Sequence, residues 1–257
     1  MEFIFFQSQL WRINYNGKYF NIILNLRTNN ISGDNFMKKI ILMLLVFFNM
    51  LFAMKIVAKN SIIYSGNPNN KNIYLTFDDG YTVKNTSKIL DILKEENVPA
   101  TFFLEGDFIK YNVGLAKRIQ NEQTLANHTY SHKNITKMSD YEFKREIEKY
   151  EELCLKKLGK KNEKYFRPPM GFINDQKLKI LEEYGYKTFM WNVWCYDYDR
   201  KNDRGVEYVK REIYKQVKNG SIILMHTLTD SNAKALRDII RHLKKEGYVF
   251  SSLGDLV

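Results

Sequence analysis

Cysteine is nearly absent. The chain holds 2 among 257 residues, Cys154 and Cys195, too few for a disulfide framework and not spaced as a CxxC metal pair. Cys154 lies between Leu153 and Leu155 in a helical pattern, where a buried apolar thiol is expected. Histidine is scarce as well, with 4, so any histidine chemistry rests on few positions. No internal repeat is visible, and no low-complexity linker follows residue 72. Acidic residues are in the minority, 29 against 40 lysines and arginines, for a formal charge of +11. That excess invites a nucleic-acid reading. The basic side chains, however, are mixed with acids on helix surfaces, as at Lys144, Arg145, Glu146, Glu148 and Lys149, which is how solvated faces look. No nucleic-acid partner is expected, whereas a basic surface suits an anionic polymer such as a cell-wall glycan. With 44% hydrophobic residues the chain can bury a sizeable core, which excludes global disorder.

A long apolar run is also missing. The best is Ile40–Met54, broken by Asn49 and preceded by Met37-Lys38-Lys39. It falls short of the roughly 20 residues of a spanning helix but suits the apolar stretch of a secretory signal. Residues 37–58 are therefore expected to be a signal peptide or membrane anchor, the only link to a membrane. The protein would then be extracytoplasmic, either secreted or tethered. Residues 1–36 precede the segment that should open an exported chain, and are expected to be a misassigned or unstructured extension.

From Asn72 onward strand and helix signals alternate. Ile73–Phe77 is a β-rich run, Ser87–Glu96 a helical stripe, Ala100–Leu104 a second strand, and Asp107–Ile119 a helix. Thr124–Asn127 is a brief strand. Ser139-Asp140-Tyr141-Glu142 has the form of a capping box opening a helix that runs to Leu158 and stops at Gly159. Tyr165-Phe166 runs into Arg167-Pro168-Pro169, which no helix continues through. Asn174 caps a helix to Tyr184, and Lys187–Val193 reads as one strand. Val206–Lys218 is a helix, Ser221–Met225 a strand, and Asp230–Lys245 the last helix. Such alternation predicts an α/β fold with a parallel sheet, as a barrel or an open doubly wound sheet, in one catalytic domain over 72–257.

The polar motifs fall just after strands, where such folds place active sites. His128 and His132 stand at i and i+4, a spacing that puts two imidazoles on one face of a helical turn. Taken alone the pair is a weak signal. Asp78 and Asp79 end a hydrophobic strand before Gly80. Asp-Gly is a common turn pair, yet adjacent carboxylates at a sheet mouth can divide labour, one ligating a metal and one accepting a proton. Arg167 offers a planar fork for a carboxylate in a loop fixed by two prolines. His226 ends a strand, whereas His242, among Arg241, Lys244 and Lys245, reads as an ordinary helix-surface residue.

Together, Thr-Phe-Asp-Asp-Gly, His-Thr-x-x-His, Arg-Pro-Pro-x-Gly and Leu-x-His resemble the polysaccharide deacetylase family, the NodB homology domain, over residues 72–257. Within it the chain looks closest to the delta-lactam-biosynthetic de-N-acetylases, which act on muramic acid. The resemblance implies a distorted (β/α) barrel and one divalent ion, Zn²⁺ first, with Co²⁺, Ni²⁺ or Mn²⁺ also suited. It implies Asp79, His128 and His132 as metal ligands, Asp78 as general base and His226 as general acid. Arg167 would hold Asp78, Asp197 would hold His226, the Met170 N–H would face the oxyanion, and Leu224 and Tyr198 would line the acetyl pocket. The expected activity is removal of N-acetyl groups from amino sugars of a cell-wall glycan, with N-acetylmuramic acid in peptidoglycan first. The alternatives are N-acetylglucosamine in chitin-like or exopolysaccharide chains, and a glycan-binding module without turnover. Three departures stand out: Met170 where lactam-type relatives often carry Arg, Tyr198 for a commoner Trp, and Gln123–Ala126 without the usual glycine pattern.

Overall fold

The computed structural model describes residues 8–15, 18–25, 62–80 and 83–257. The expected signal or anchor at 37–58 lies outside them. The chain divides into two units, residues 1–59 and 60–257. In the first, where an extension without structure is expected, β1 (Ser8–Tyr15) and β2 (Lys18–Asn25) form an antiparallel hairpin, Tyr15 opposite Lys18. Among the described residues no helix is long and apolar enough to cross a membrane.

The second unit begins before the predicted 72. Ile63 bridges Phe189, Ser65 bridges Ser221, and the Gly66 N–H donates to Gly220 O at 2.7 Å. Strands then alternate with helices: β3 (Asn72–Asp79), α1 (Thr86–Glu95), β4 (Ala100–Leu104), α2 (Gly106–Tyr111), α3 (Val113–Glu122), β5 (Thr124–Asn127) and α4 (Asp140–Leu158). They continue with β6 (Tyr165–Phe166), α5 (Asp175–Glu183), β7 (Lys187–Thr188), β8 (Val193–Trp194), α6 (Val206–Gln216), β9 (Ile222–His226), α7 (Asp230–Lys245) and β10 (Val249–Phe250). The strands pair in parallel in the order β7-β6-β5-β4-β3-β9-β8, with β10 beside β3. Early and late strands are neighbours, as in a barrel, and β7 does not pair with β8. The architecture is a distorted (β/α) barrel with an open side.

Two predicted elements differ. Lys187–Val193 is not one strand: β7 pairs with β6 while β8 pairs with β9, and the chain crosses the open side between them. There the carbonyls of Phe189 and Met190 bond to a side chain rather than to a strand. The helix predicted over Asp107–Ile119 breaks at Asn112, whose φ of −126° and ψ of 48° leave helical space. The capping box at Ser139 forms as expected, and Gly159 closes α4 at φ 82°.

Strand alternation sets the layers. Leu75 and Phe77 of β3, with Phe102 and Leu104 of β4, face the helices in the main core. Tyr74 and Phe103 point the other way, into a smaller cluster with Ala126, Phe189 and Ile222. β3 is buried from Ile73 to its end, which is why its sequence is apolar without alternation. Cys154 is fully buried in the main core, as expected.

Candidate active site

β3 ends in two aspartates, and the period of two sends them to opposite faces. Asp78 faces inward and is level with His226 on β9. It lines a cavity of about 580 Å³ together with Glu105, His128, His132 and His226. Met170, Trp191, Trp194, Tyr198 and Leu224 give that cavity an apolar wall. Asp79 takes the other face, where Thr86 Oγ1, in the first turn of α1, donates to it at 3.0 Å and the Thr227 hydroxyl donates to its second oxygen.

Arg167 is wholly buried and every arm is used. Nη1 donates to Asp78 Oδ1 at 2.7 Å and to Thr76 Oγ1 at 2.9 Å, Nη2 to Met190 O at 3.0 Å, and Nε to Phe189 O at 3.2 Å. The guanidinium also lies over the Phe103 ring, 4.2 Å from its centroid. Burial would raise the Asp78 carboxyl, but Arg167 first, then His128 and His226, hold it below the ordinary carboxylate range. Asp78 is therefore an ionised carboxylate with one oxygen anchored.

His226 is fixed from its other ring nitrogen. Asp197 Oδ1 lies 2.8 Å from His226 Nδ1, and Asp197 Oδ2 accepts the His226 backbone N–H at 2.9 Å. Asn232 of α7 donates to the same carboxylate and to His226 O at 2.8 Å. Burial alone would lower the His226 imidazole, but Asp197, then Asp78 and Asp79, carry it above the ordinary histidine value. Sequence reasoning placed this dyad and missed Asn232.

His128 and His132 do not sit on a helical turn. They occupy a loop after β5 in which Thr129 (φ 70°) and His132 (φ 54°) are left-handed. Asn127 Oδ1 accepts the Thr129 N–H at 2.7 Å and Thr129 Oγ1 the His132 N–H at 3.0 Å, while Glu146 of α4 holds Ser131. The loop still brings the two rings to 5.0 Å between centroids. Burial lowers His128 to about 4 and also lowers His132, so both are neutral near pH 7.

A neutral imidazole whose Nδ1 is hydrogen-bonded presents Nε2 as a ligand. His128 Nδ1 lies 2.8 Å from Arg167 O, so His128 suits a divalent ion, and neutral His132 suits it too. The third expected ligand, Asp79, accepts from the Thr86 and Thr227 hydroxyls. Among the described residues no three histidine, cysteine, aspartate or glutamate side chains converge as a metal cluster. The donors stand in pairs instead, His128 Nε2 3.6 Å from Asp78 Oδ2 and His132 Nε2 3.7 Å from Glu105 Oε1. Alternation along β3 gives the two aspartates different nearest partners, Asp78 the His128 imidazole and Asp79 its two hydroxyls. Burial raises Asp79 to about 7 despite those hydroxyls.

Of the expected substrate contacts, Leu224, Tyr198 and Met170 all line the cavity. Met170 is left-handed at φ 58°, and the turn bonds of its loop come from Gly171 and Phe172, leaving the Met170 N–H out. Glu105, Trp191 and Trp194 were not anticipated. Glu105 directly follows β4, the strand-end position that singled out the other polar residues. The two tryptophans fall in and beside the stretch misread as one strand. His242 packs on Tyr214, 4.1 Å between ring centroids, and takes no part.

Residues 65–189 match the sequence profile of the polysaccharide deacetylase family. The peptidoglycan-N-acetylmuramic acid deacetylase PdaA of Bacillus subtilis is 38% identical over 203 residues, 79% of this chain and 77% of that protein. A peptidoglycan-N-acetylglucosamine deacetylase of Bacillus cereus is 36% identical over 204 residues, 77% of this chain and 72% of that one. The solved structure of Bacillus subtilis PdaA, a family 4 carbohydrate esterase, matches with a TM-score of 0.75 at 38% identity, over 79% of this chain and 88% of that one. A family 4 pseudoenzyme from Bacillus anthracis matches with a TM-score of 0.71 at 32% identity, over 77% and 69%. On its sequence profile, its identity to these relatives and its shared fold, the chain belongs to the polysaccharide deacetylase family, generally metal-dependent hydrolases of carbon–nitrogen bonds other than peptide bonds.

Proposed function

We propose that this protein removes N-acetyl groups from the amino sugars of peptidoglycan, N-acetylmuramic acid first, outside the cytoplasm, after export or tethering through residues 37–58. One observation carries the reading: a carboxylate anchored by a buried arginine and an imidazole anchored by a second carboxylate stand level on adjacent strands, facing one cavity. Binding alone requires neither group, so the pair speaks for turnover rather than for a silent relative.

The acetamide carbonyl sits among Met170, Tyr198 and Leu224, with the methyl on the apolar wall. Asp78, anchored through Oδ1, uses Oδ2 to take a proton from the attacking water. His226, with Nδ1 committed to Asp197, delivers its proton from Nε2 to the departing amine, which leaves as the free amino sugar beside acetate. The Met170 N–H faces the oxygen that gains negative charge, a donor of the kind worth about 3–4 kcal/mol. A divalent ion, Zn²⁺ or else Co²⁺, Ni²⁺ or Mn²⁺, held by His128, His132 and Asp79, would supply Lewis-acid polarisation and a more acidic water.

A second reading has its own support. The cavity's charged lining is acidic, Asp78 and Glu105, and the residues lining it include no lysine or arginine. An unsubstituted lactyl carboxylate finds no lysine or arginine there, Met170 standing where an arginine is common in lactam-type relatives. N-acetylglucosamine, or muramic acid with its lactyl group in amide linkage, meets no such penalty. Acetate release from peptide-bearing and peptide-stripped glycan strands, by wild type and Asp78→Asn, tests both readings. Muramic acid deacetylation by wild type and none by the variant is expected. Release confined to glucosamine establishes the second reading, and an active Asp78→Asn removes the proposed base.

A further inference from the structure

Glu105 is the one acidic side chain of the cavity with no place in the chemistry above. It caps α2 directly after β4, and its N–H donates to Asp79 O at 3.0 Å, which ties its backbone to the end of β3. Its carboxylate lies over Gly80: a Cβ added there would stand 2.5 Å from Oε1. Gly80 therefore makes room for this carboxylate, a purpose beyond the turn that Asp-Gly suggests.

The carboxylate is largely buried, its side chain 22% exposed, and the described residues give it no lysine or arginine partner. Asp107 and Asp78, both acidic, are among its charged neighbours. What faces it is His132 Nε2 at 3.7 Å. That is too long for a hydrogen bond, whose limit is about 3.2 Å for N–H···O. Two donors bound to one ion at about 2.0–2.2 Å lie roughly 3.0–3.5 Å apart for right-angle to tetrahedral geometry. The gap is close to a coordination edge.

We propose that Glu105 is an oxygen ligand of the divalent ion, beside His132. The inference rests on the metal-dependent reading of the site. It adds a carboxylate just after β4 to a donor set otherwise drawn from β3 and the loop after β5, and gives Glu105 a direct cationic partner.

The test is metal binding itself. The metal-stripped full chain is titrated with Co²⁺ and with Zn²⁺ by calorimetry, and the visible spectrum of bound Co²⁺ is recorded, for wild type, Glu105→Gln and Glu105→Asp. Thermal melting of the metal-free forms confirms folding. Glu105→Gln is expected to weaken binding at least about tenfold and to change the Co²⁺ spectrum. Glu105→Asp keeps the charge but withdraws it by one methylene, and should also bind more weakly with an altered spectrum. If both variants match wild type within twofold and keep its spectrum, Glu105 is no ligand. If only Glu105→Asp matches wild type, the carboxylate acts through its charge alone and the assignment is overturned. If wild type binds neither ion, the metal-dependent reading falls and this inference with it, an outcome separate from an intact wild-type site that ignores Glu105. Should Glu105→Gln not fold, the Glu105→Asp spectrum decides.

Discussion

The two halves of the cavity are built on opposite plans. On the β9 side, His226, Asp197 and Asn232 form a connected set of hydrogen bonds in which both Asp197 oxygens and the His226 carbonyl have donors. On the β5 side, His128 and His132 turn their Nε2 atoms to carboxylates across gaps of 3.6 and 3.7 Å that no hydrogen bond fills. The first half stores a proton, and its imidazole is pushed towards the charged form. The second keeps lone pairs free, and its imidazoles are pushed towards the neutral form. Four histidines in the whole chain suffice because environment, not residue type, assigns the roles. Asp78 serves both halves, one oxygen locked by Arg167 and the other facing His128.

Removing the shared residue should give the largest effect. Asp78→Asn is expected to lower acetate release by about 10²–10⁴-fold while the fold is retained in circular dichroism. Next comes its anchor. Arg167→Met leaves a buried carboxylate without its cation, at a cost of about 3–5 kcal/mol of stability, readable by chemical denaturation. A loss under 1 kcal/mol would show that Asp78 does not depend on this pair.

The proton-storing half is probed through pH. Protonated His226 is the acid, so activity is full below its pKa and falls as pH rises through it. Asp197 is the foremost group raising that pKa. Asp197→Asn should therefore move the alkaline limb of the kcat profile to lower pH, with the acid limb in place. An unmoved alkaline limb would dissociate the dyad from catalysis. The smallest effect belongs to the outward aspartate: Thr227→Val removes one hydroxyl donor to Asp79 and should cost about 1–3 kcal/mol in thermal unfolding.

Much of this was legible from residue order. The apolar strands, the capping box at Ser139 and the polar strand ends declare a parallel α/β sheet and point to its active edge. Asp78, Arg167, His226 and Asp197 occupy the relations expected of them. The failures share a cause. A short apolar stretch says that it is buried, not which strand it pairs with, so β7 and β8 fused into one and hid Trp191 and Trp194. The i, i+4 spacing of His128 and His132 suggested a helical turn, because left-handed Thr129 and His132 leave no mark in residue type. Adjacent aspartates look like partners in a sequence, yet a strand's pleat separates them, and that is why Asp79 faces threonines while Asp78 faces histidines.

Arg167 carries a further consequence. It reaches from the end of β6 to Thr76 and Asp78 on β3, and to the carbonyls of Phe189 and Met190 where the chain crosses from β7 towards β8. It acts as a crossbeam over the interval between β7 and β8, where, among the described residues, the two strands do not pair and Ile63 makes an isolated bridge to Phe189. Tuning the base and bracing the breach are therefore a single job for a single side chain. Any lesion at this position should register twice, once in turnover and once in the melting curve, and natural variation there has little room to trade one against the other.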